Sequence, residues 1–144
     1  MRKNYKSTPP PKDQGPAPAL IPLSSFAREN EDFRRTLWTG EHLQLTVMCI
    51  PQGEDIGTEI HSHLDQLIRV EEGFAILRFG SCRSGLREMG RMGVGDAVLI
   101  PAGTYHNIIN AGRGPLRLSS VYAPPAHPRG TVHPTKEDAL REEY

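Results

Sequence analysis

The chain has few cysteines, few aromatic residues and no long apolar run. Cys49 and Cys82 are its only cysteines, and they lie far apart in the sequence. Small secreted domains usually carry many more, so this pair predicts reduced thiols and a cytoplasmic protein rather than a disulfide framework. No apolar stretch approaches the roughly 20 residues that a membrane-spanning helix needs, and no signal peptide follows the basic first residues. We therefore expect no membrane association.

An excess of charge of one sign is also lacking. Lys and Arg together number 17, as do Asp and Glu, which gives a formal net charge of zero. Proteins that bind nucleic acid or anionic lipid usually have a basic excess. The balance therefore predicts neither partner. At 144 residues, the chain is long enough for one domain with its own core.

Proline, in contrast, is abundant near the N-terminus, where residues 7–22 contain six. Because proline lacks a backbone N–H and fixes φ, this stretch forms neither a helix nor a central strand. We predict a flexible proline-rich arm over residues 1–22, a barrel over 23–122, and an extended segment with a short helix over 123–144. A first short helix is predicted at 23–30, with Ser24 or Ser25 as its N-cap, and the C-terminal helix begins at Thr135.

Between these ends, the sequence alternates between apolar and polar residues in short runs that glycines separate. This pattern predicts strands at residues 42–50, 59–63, 66–70, 74–79, 97–100, 106–109 and 116–122. Many short strands with turn residues between them are typical of an all-β barrel or jelly roll. After the last strand, His127 and His133 lie in a predicted loop, where they are either solvated or part of a lid over the barrel mouth.

Histidines lie in two separate segments of the predicted barrel. The first segment contains His61 and His63, followed by Gln66. Because alternate residues of a strand face the same side, both imidazoles could bind one ion, and the Gln66 carbonyl oxygen could be a third ligand. The second segment reads Gly95-x5-Pro101-x-Gly103-x2-His106-x3-Asn110 and supplies His106 as the fourth ligand.

Together these segments resemble the two motifs of the cupin superfamily. The resemblance implies an all-β double-stranded β-helix (a jelly-roll barrel), a metal ion in its mouth, a small-molecule ligand and a homodimer. The first motif of the family runs Gly-x5-His-x-His-x(3,4)-Glu-x6-Gly. Here Asp55 stands in place of the leading glycine, the turn after His63 is one residue short, and Gln66 replaces the glutamate, with six residues between it and Gly73.

Three neutral nitrogens and one neutral oxygen suit a divalent first-row metal such as iron, manganese, zinc or nickel. A structural zinc site would instead use cysteines in a closed tetrahedron, so we expect open positions for water or substrate. The loss of the carboxylate at Gln66 predicts weaker metal binding than in most of the family. A degenerate barrel without metal is the alternative.

Four further residues are candidates for the site. Glu59 has the same strand parity as His61 and is predicted to be the catalytic general base. Arg78 interrupts an apolar strand and could bind an anionic substrate through its guanidinium. Gln44 and Tyr122 are the other predicted substrate-binding residues, since both lie in strands that could face the mouth.

Within the superfamily, the chain looks closest to small cupins described as mannose-6-phosphate-isomerase-like. This resemblance implies a metalloenzyme that acts on a sugar or sugar phosphate, with an aldose–ketose conversion as the leading hypothesis. A metal-dependent dioxygenase and a non-catalytic small-molecule-binding protein are the alternatives, because the same fold hosts all three.

Overall fold

A computed structural model describes residues 11–142 of the chain. None of the helices in this range is long and apolar enough to span a bilayer. The described part contains two short helices and nine strands, which are α1 (Leu23–Glu29), β1 (Arg34–Thr39), β2 (Gln44–Ile50), β3 (Asp65–Glu72), β4 (Ala75–Gly80), β5 (Arg87–Met92), β6 (Ala97–Ile100), β7 (Tyr105–Asn110), β8 (Leu116–Ala123), β9 (Val132–His133) and α2 (Lys136–Glu142).

The strands form two antiparallel sheets. The larger has the order β6-β3-β8-β2-β1-β9, and the smaller has the order β5-β4-β7. Apolar side chains from both sheets, including Ile68, Leu77 and Ile108, meet in one buried core. This confirms the predicted all-β double-stranded β-helix with short terminal helices.

The interior of the larger sheet changes from polar to apolar along the strands. Neighbouring residues on β2, β8 and β3 form three successive buried rows, which are Gln44–Tyr122–Gln66, Thr46–Ser120–Ile68 and Met48–Leu118–Val70. Only the last row is fully apolar, and it belongs to the core. The barrel therefore has an apolar floor and a polar end, and a site for a polar ligand is expected at the polar end.

The helix predictions agree with the structure at one cap and fail at the other. Pro22 is the N-cap of α1, where no side chain caps the helix, and the Ser24 hydroxyl instead donates to the Glu71 carboxylate at 3.4 Å. At α2, Thr135 and Asp138 form the reciprocal pair of a capping box. The predicted cap at Thr135 is confirmed, whereas the one at Ser24 or Ser25 is wrong.

Part of the predicted flexible arm is attached to the barrel. Within residues 11–22, the Asp13 carboxylate accepts hydrogen bonds from the backbone N–H and the hydroxyl of Thr39. The indole N–H of Trp38 donates to the carbonyl of Ala17 at 2.7 Å. These contacts hold this half of the arm against β1. The remainder of the predicted arm, residues 1–10, lies outside the described residues.

The Asp13 contacts predict a pH-dependent contribution to stability. Burial alone would raise the Asp13 pKa, but hydrogen bonds from Thr39 and from the Gly15 N–H outweigh it and lower the pKa below 3.8. A group whose pKa falls on folding stabilises the fold above its unfolded pKa, and that contribution is lost as the pH drops through the folded pKa. At pH 7 we expect Asp13→Asn to have a lower melting temperature than the wild type, and the difference should shrink as the pH falls below about 4.

Thermal unfolding between pH 2.5 and 7 measures this difference. Glu41→Gln is the matched control, because the Glu41 side chain is 86% exposed. A deficit of Asp13→Asn that stays constant across this pH range would contradict the expected linkage.

Candidate metal centre

The site begins with a backbone bridge between two segments that are distant in the sequence. The N–H of Glu59 donates to the carbonyl of His106, and the N–H of His106 donates to the carbonyl of Glu59, both at 2.9 Å. Residues directly opposite each other in an antiparallel pair project to the same side. The bridge therefore sets the Glu59 side chain beside that of His106. Residues 59–63 contain only this isolated bridge, so the strand predicted there is absent.

Three potential ligand atoms converge at this bridge. Glu59 Oε2 lies 3.6 Å from His61 Nε2 and 3.9 Å from His106 Nε2. One donor atom from each residue lies within 4.8 Å of the others. The His106 side chain is 1% exposed, and that of Glu59 is 15% exposed. These three residues, Glu59, His61 and His106, are called the ligand group below.

The protonation states of the ligand group suit a cation. His106 Nδ1 lies 3.0 Å from the carbonyl oxygen of Thr104, so Nδ1 carries the proton and Nε2 presents its lone pair. Burial lowers the His106 pKa, which keeps the ring neutral. Burial alone would raise the pKa of Glu59, but the contacts with His61 and with the Arg34 guanidinium hold it below its usual value, so the carboxylate is ionised.

Whether a metal fits this site can be judged from the buried polar atoms that have no hydrogen-bond partner. His61 Nε2, His106 Nε2 and Gln66 Oε1 are buried and have no hydrogen-bond partner among the described residues. Each such atom costs about 1–3 kcal/mol when nothing compensates for its lost hydration. A divalent cation accepts lone pairs from imidazole, carboxylate and amide donors of this kind. The residues present therefore fit a metal ion.

Gln66 belongs to the same end of the barrel. Its amide Nε2 donates to the hydroxyl of Ser120 at 2.9 Å, which leaves Oε1 as the free lone-pair donor. The neighbouring carboxylate, Asp65, is exposed and accepts from the N–H of Ala102. Strand alternation thus selects Gln66, as the sequence predicts.

His63 is the predicted ligand that the structure does not bring to the ligand group. It is exposed, because the chain turns away between the bridge at Glu59 and the start of β3. Glu59 occupies the place in the ligand group that the sequence analysis predicted for His63. The predicted general base is therefore one of the possible ligands.

The spacing of the first motif explains this difference. Counted from Gly53, the family pattern Gly-x5-His-x-His-x(3,4)-Glu-x6-Gly places its first histidine at Glu59, its second at His61 and its glutamate at Gln66. Gly53 has φ of +79°, a conformation that favours glycine. With this alignment, every spacing of the first motif fits. The alignment that places the two motif histidines at His61 and His63 leaves one turn a residue short. The carboxylate of the family is replaced by an amide at Gln66, and another carboxylate takes a histidine's place at Glu59.

Two of the predicted substrate-binding residues, Arg78 and Gln44, make their contacts outside the ligand group. Arg78 is exposed and pairs across the sheet with Asn107, whereas His106 pairs with Phe79, so Arg78 lies on the opposite face from His106. The Gln44 amide is fully used. It donates to the Thr39 hydroxyl and the His127 carbonyl, and it accepts from the N–H groups of Ala126 and His127.

Tyr122 lies in the wall of the site. It is 1% exposed, and its ring makes edge contacts with the rings of His61 and His127, with centroids 5.7 Å and 5.4 Å apart. Burial raises the pKa of the Tyr122 hydroxyl, so it stays protonated. The ring therefore contacts both histidines.

A cavity of about 430 Å³ lies against the ligand group, and the C-terminal segment forms its opposite wall. Its lining includes Glu59 and His61 on one side and His127, His133 and Glu142 on the other. His133 Nε2 lies 2.6 Å from the Glu142 carboxylate. His127 and His133, the possible lid residues, therefore line the site within one chain.

Arg34 is a site residue that no pattern in the sequence selects. It is 1% exposed, with Nη2 3.5 Å from Glu59 Oε1 and Nη1 3.4 Å from His133 Nδ1. The guanidinium thus links the ligand group to the C-terminal segment. Strand β1 begins with Arg34 and Arg35 and contains a bulge between Thr36 and Trp38, so its apolar alternation is too irregular to predict a strand.

Two known proteins are similar to most of the chain. It is 46% identical over 132 residues to the protein YrkC of Bacillus subtilis (strain 168), described as uncharacterized, a match that covers 92% of this chain and 71% of YrkC. It is 38% identical over 105 residues to the uncharacterized protein L612 of Acanthamoeba polyphaga mimivirus, which covers 72% of this chain and 64% of L612.

A solved structure and a family model agree with these similarities. The crystal structure of BH2720 from Bacillus halodurans is 50% identical and superposes with a TM-score of 0.88 over 90% of this chain and 98% of that one. The Cupin domain model matches residues 46–122, a range that contains the ligand group, Gln66 and Tyr122. The chain therefore belongs to the cupin family.

Proposed function

We propose that this cupin is a metal-dependent enzyme that acts on a small polar metabolite. The observation that carries the proposal is the convergence of a carboxylate and two imidazoles at the ligand group, with buried and unpaired nitrogens on both histidines. Glu59, His61 and His106 would hold the metal, and Gln66 Oε1 is a fourth donor. When bound, a divalent metal supplies Lewis-acid chemistry to a carbonyl or hydroxyl oxygen of the substrate.

The roles of the residues follow from their contacts. The His106 Nδ1 proton is held by Thr104, which fixes the tautomer and orients the ring toward the site. The Arg34 guanidinium keeps the Glu59 carboxylate ionised and in place. The C-terminal wall lines the cavity opposite the ligand group. An aldose–ketose conversion of a sugar phosphate is the isomerase-like reaction that we propose for this site.

A dioxygenase is a second candidate, and the composition of the ligand group favours it. Two histidines and one carboxylate are the donor set of many non-haem Fe(II) oxygenases, although catalytic zinc sites use the same set. The donor set alone does not separate the isomerase from the dioxygenase. The two candidates differ instead in the metal they need and in oxygen consumption.

Metal content tests the ligand group directly. We expect about one divalent first-row metal per chain in the wild type after reconstitution. His106→Ala should retain little metal because it removes a donor, and Glu59→Gln should weaken binding at least about tenfold because it replaces an anionic carboxylate with a neutral amide. Elemental analysis after dialysis gives the stoichiometry, and competition with a chromophoric chelator gives the affinity.

His63→Ala is the sharpest control for that experiment. His63 is a histidine at a plausible motif position, but it is exposed and outside the ligand group, so this variant should bind metal as the wild type does. Loss of metal in His63→Ala, with retention in Glu59→Gln, would contradict the assignment and restore the ligand set predicted from the sequence.

The reaction class is tested with mannose 6-phosphate in D₂O. The isomerase proposal predicts that zinc- or manganese-loaded protein exchanges the C2 proton for deuterium, as NMR would detect, with no oxygen uptake. The dioxygenase candidate predicts oxygen uptake by the iron-loaded protein on an oxygen electrode, without exchange. Absence of both would contradict both candidates for this sugar phosphate, and His106→Ala provides the inactive baseline.

A further inference from the structure

Three histidine ring nitrogens in residues 11–142 are buried without a hydrogen-bond partner. Two of them, on His61 and His106, belong to the ligand group, and a metal would satisfy them. The third is His127 Nε2. His127 is not in the ligand group, so a metal held by that group leaves its nitrogen unexplained. A buried polar atom without a partner is uncommon enough in proteins to need a specific cause.

His127 is held firmly in position. Gln44 binds both the N–H and the carbonyl of His127, at 3.0 Å and 2.8 Å. The ring packs edge-on against Tyr122 and against His133, with centroids 5.4 Å and 6.2 Å away. An unpaired atom on such a well-anchored residue does not result from a loose loop. The anchoring instead preserves this ring in the cavity wall.

The chemical state of His127 limits what its nitrogen can bind. Burial, together with the nearby Arg34 guanidinium, lowers the His127 pKa to about 3. The ring is therefore neutral at physiological pH and does not form an ion pair with an anion. A neutral imidazole either donates or accepts a single hydrogen bond at Nε2, and a hydroxyl group can serve in both cases.

We propose that His127 Nε2 hydrogen-bonds a hydroxyl group of a ligand that spans the cavity from the ligand group to the C-terminal wall. The ligand class is a small hydroxylated compound with an oxygen donor for the metal at one end and a free hydroxyl at the other. This inference rests on the proposed metal site. It also assigns a ligand contact to the C-terminal segment, which lies beyond the matched family domain of residues 46–122.

Glycerate and lactate are suitable probes, because both present a carboxylate and an α-hydroxyl, and only glycerate carries a second hydroxyl. Calorimetric titration of the zinc-loaded wild type should show glycerate binding about fivefold to tenfold more tightly than lactate, which is the contribution of one net hydrogen bond. His127→Ala should lose this preference with zinc content unchanged. His127→Gln should recover part of it, since its amide can reach the place of Nε2.

His42→Ala is the matched control, because the His42 side chain is 85% exposed, and it should keep the full preference. In the wild type, the His127 imidazole ¹⁵N resonance, assigned by its loss in His127→Gln, should shift with glycerate much more than with lactate. Equal affinities in the wild type, or a preference that survives in His127→Ala, would overturn the inference while the metal site stands. Absence of zinc from the wild type would instead remove the proposed function and this inference together.

Discussion

The pair of backbone hydrogen bonds between Glu59 and His106 is the constraint on which the site depends. It lies within a longer contact, because Ile56 also donates to Ile108 and Asn110 donates to Glu54. Residues 54–59 therefore lie antiparallel to β7 without forming a named strand. This arrangement brings a carboxylate and two imidazoles from separate segments together, and no covalent link or regular sheet is needed to hold them.

The C-terminal segment depends on the barrel in the same way. Gln44 holds the backbone at His127, and Arg34 contacts both Glu59 and His133. Lys136 at the start of α2 adds an ion pair with Asp55, Nζ to Oδ1 2.5 Å, on the segment that leads to Glu59. Buried polar groups such as Gln44 and Arg34 are stable only when they are paired. The wall of the cavity and the ligand group therefore form one connected polar unit above the apolar floor of the barrel.

Much of this fold could be predicted from the sequence, since alternation along β2, β3, β4, β7 and β8 reports faces that are buried on one side. Strand β5, in contrast, is polar and contains Gly90, and it forms because it pairs with β4. In the site, His61, Gln66 and His106 were selected from the sequence, and each has a buried polar atom without a partner among the described residues. His63 was selected because it is a histidine, although the spacing from Gly53 to Gly73 favours Glu59. Arg34 reaches the site only through tertiary pairing, which local pattern cannot report, whereas His127 was predicted as either a solvated residue or part of a lid. The homodimer stays a prediction.

The most direct test of the account is anomalous diffraction from crystals grown with zinc, recorded on both sides of the zinc absorption edge. We predict one anomalous peak per chain, in contact with Glu59, His61 and His106, and no zinc at His63. A peak bound by His63, with the Glu59 carboxylate turned away from it, would contradict the central claim that the carboxylate has taken a histidine's place in this cupin.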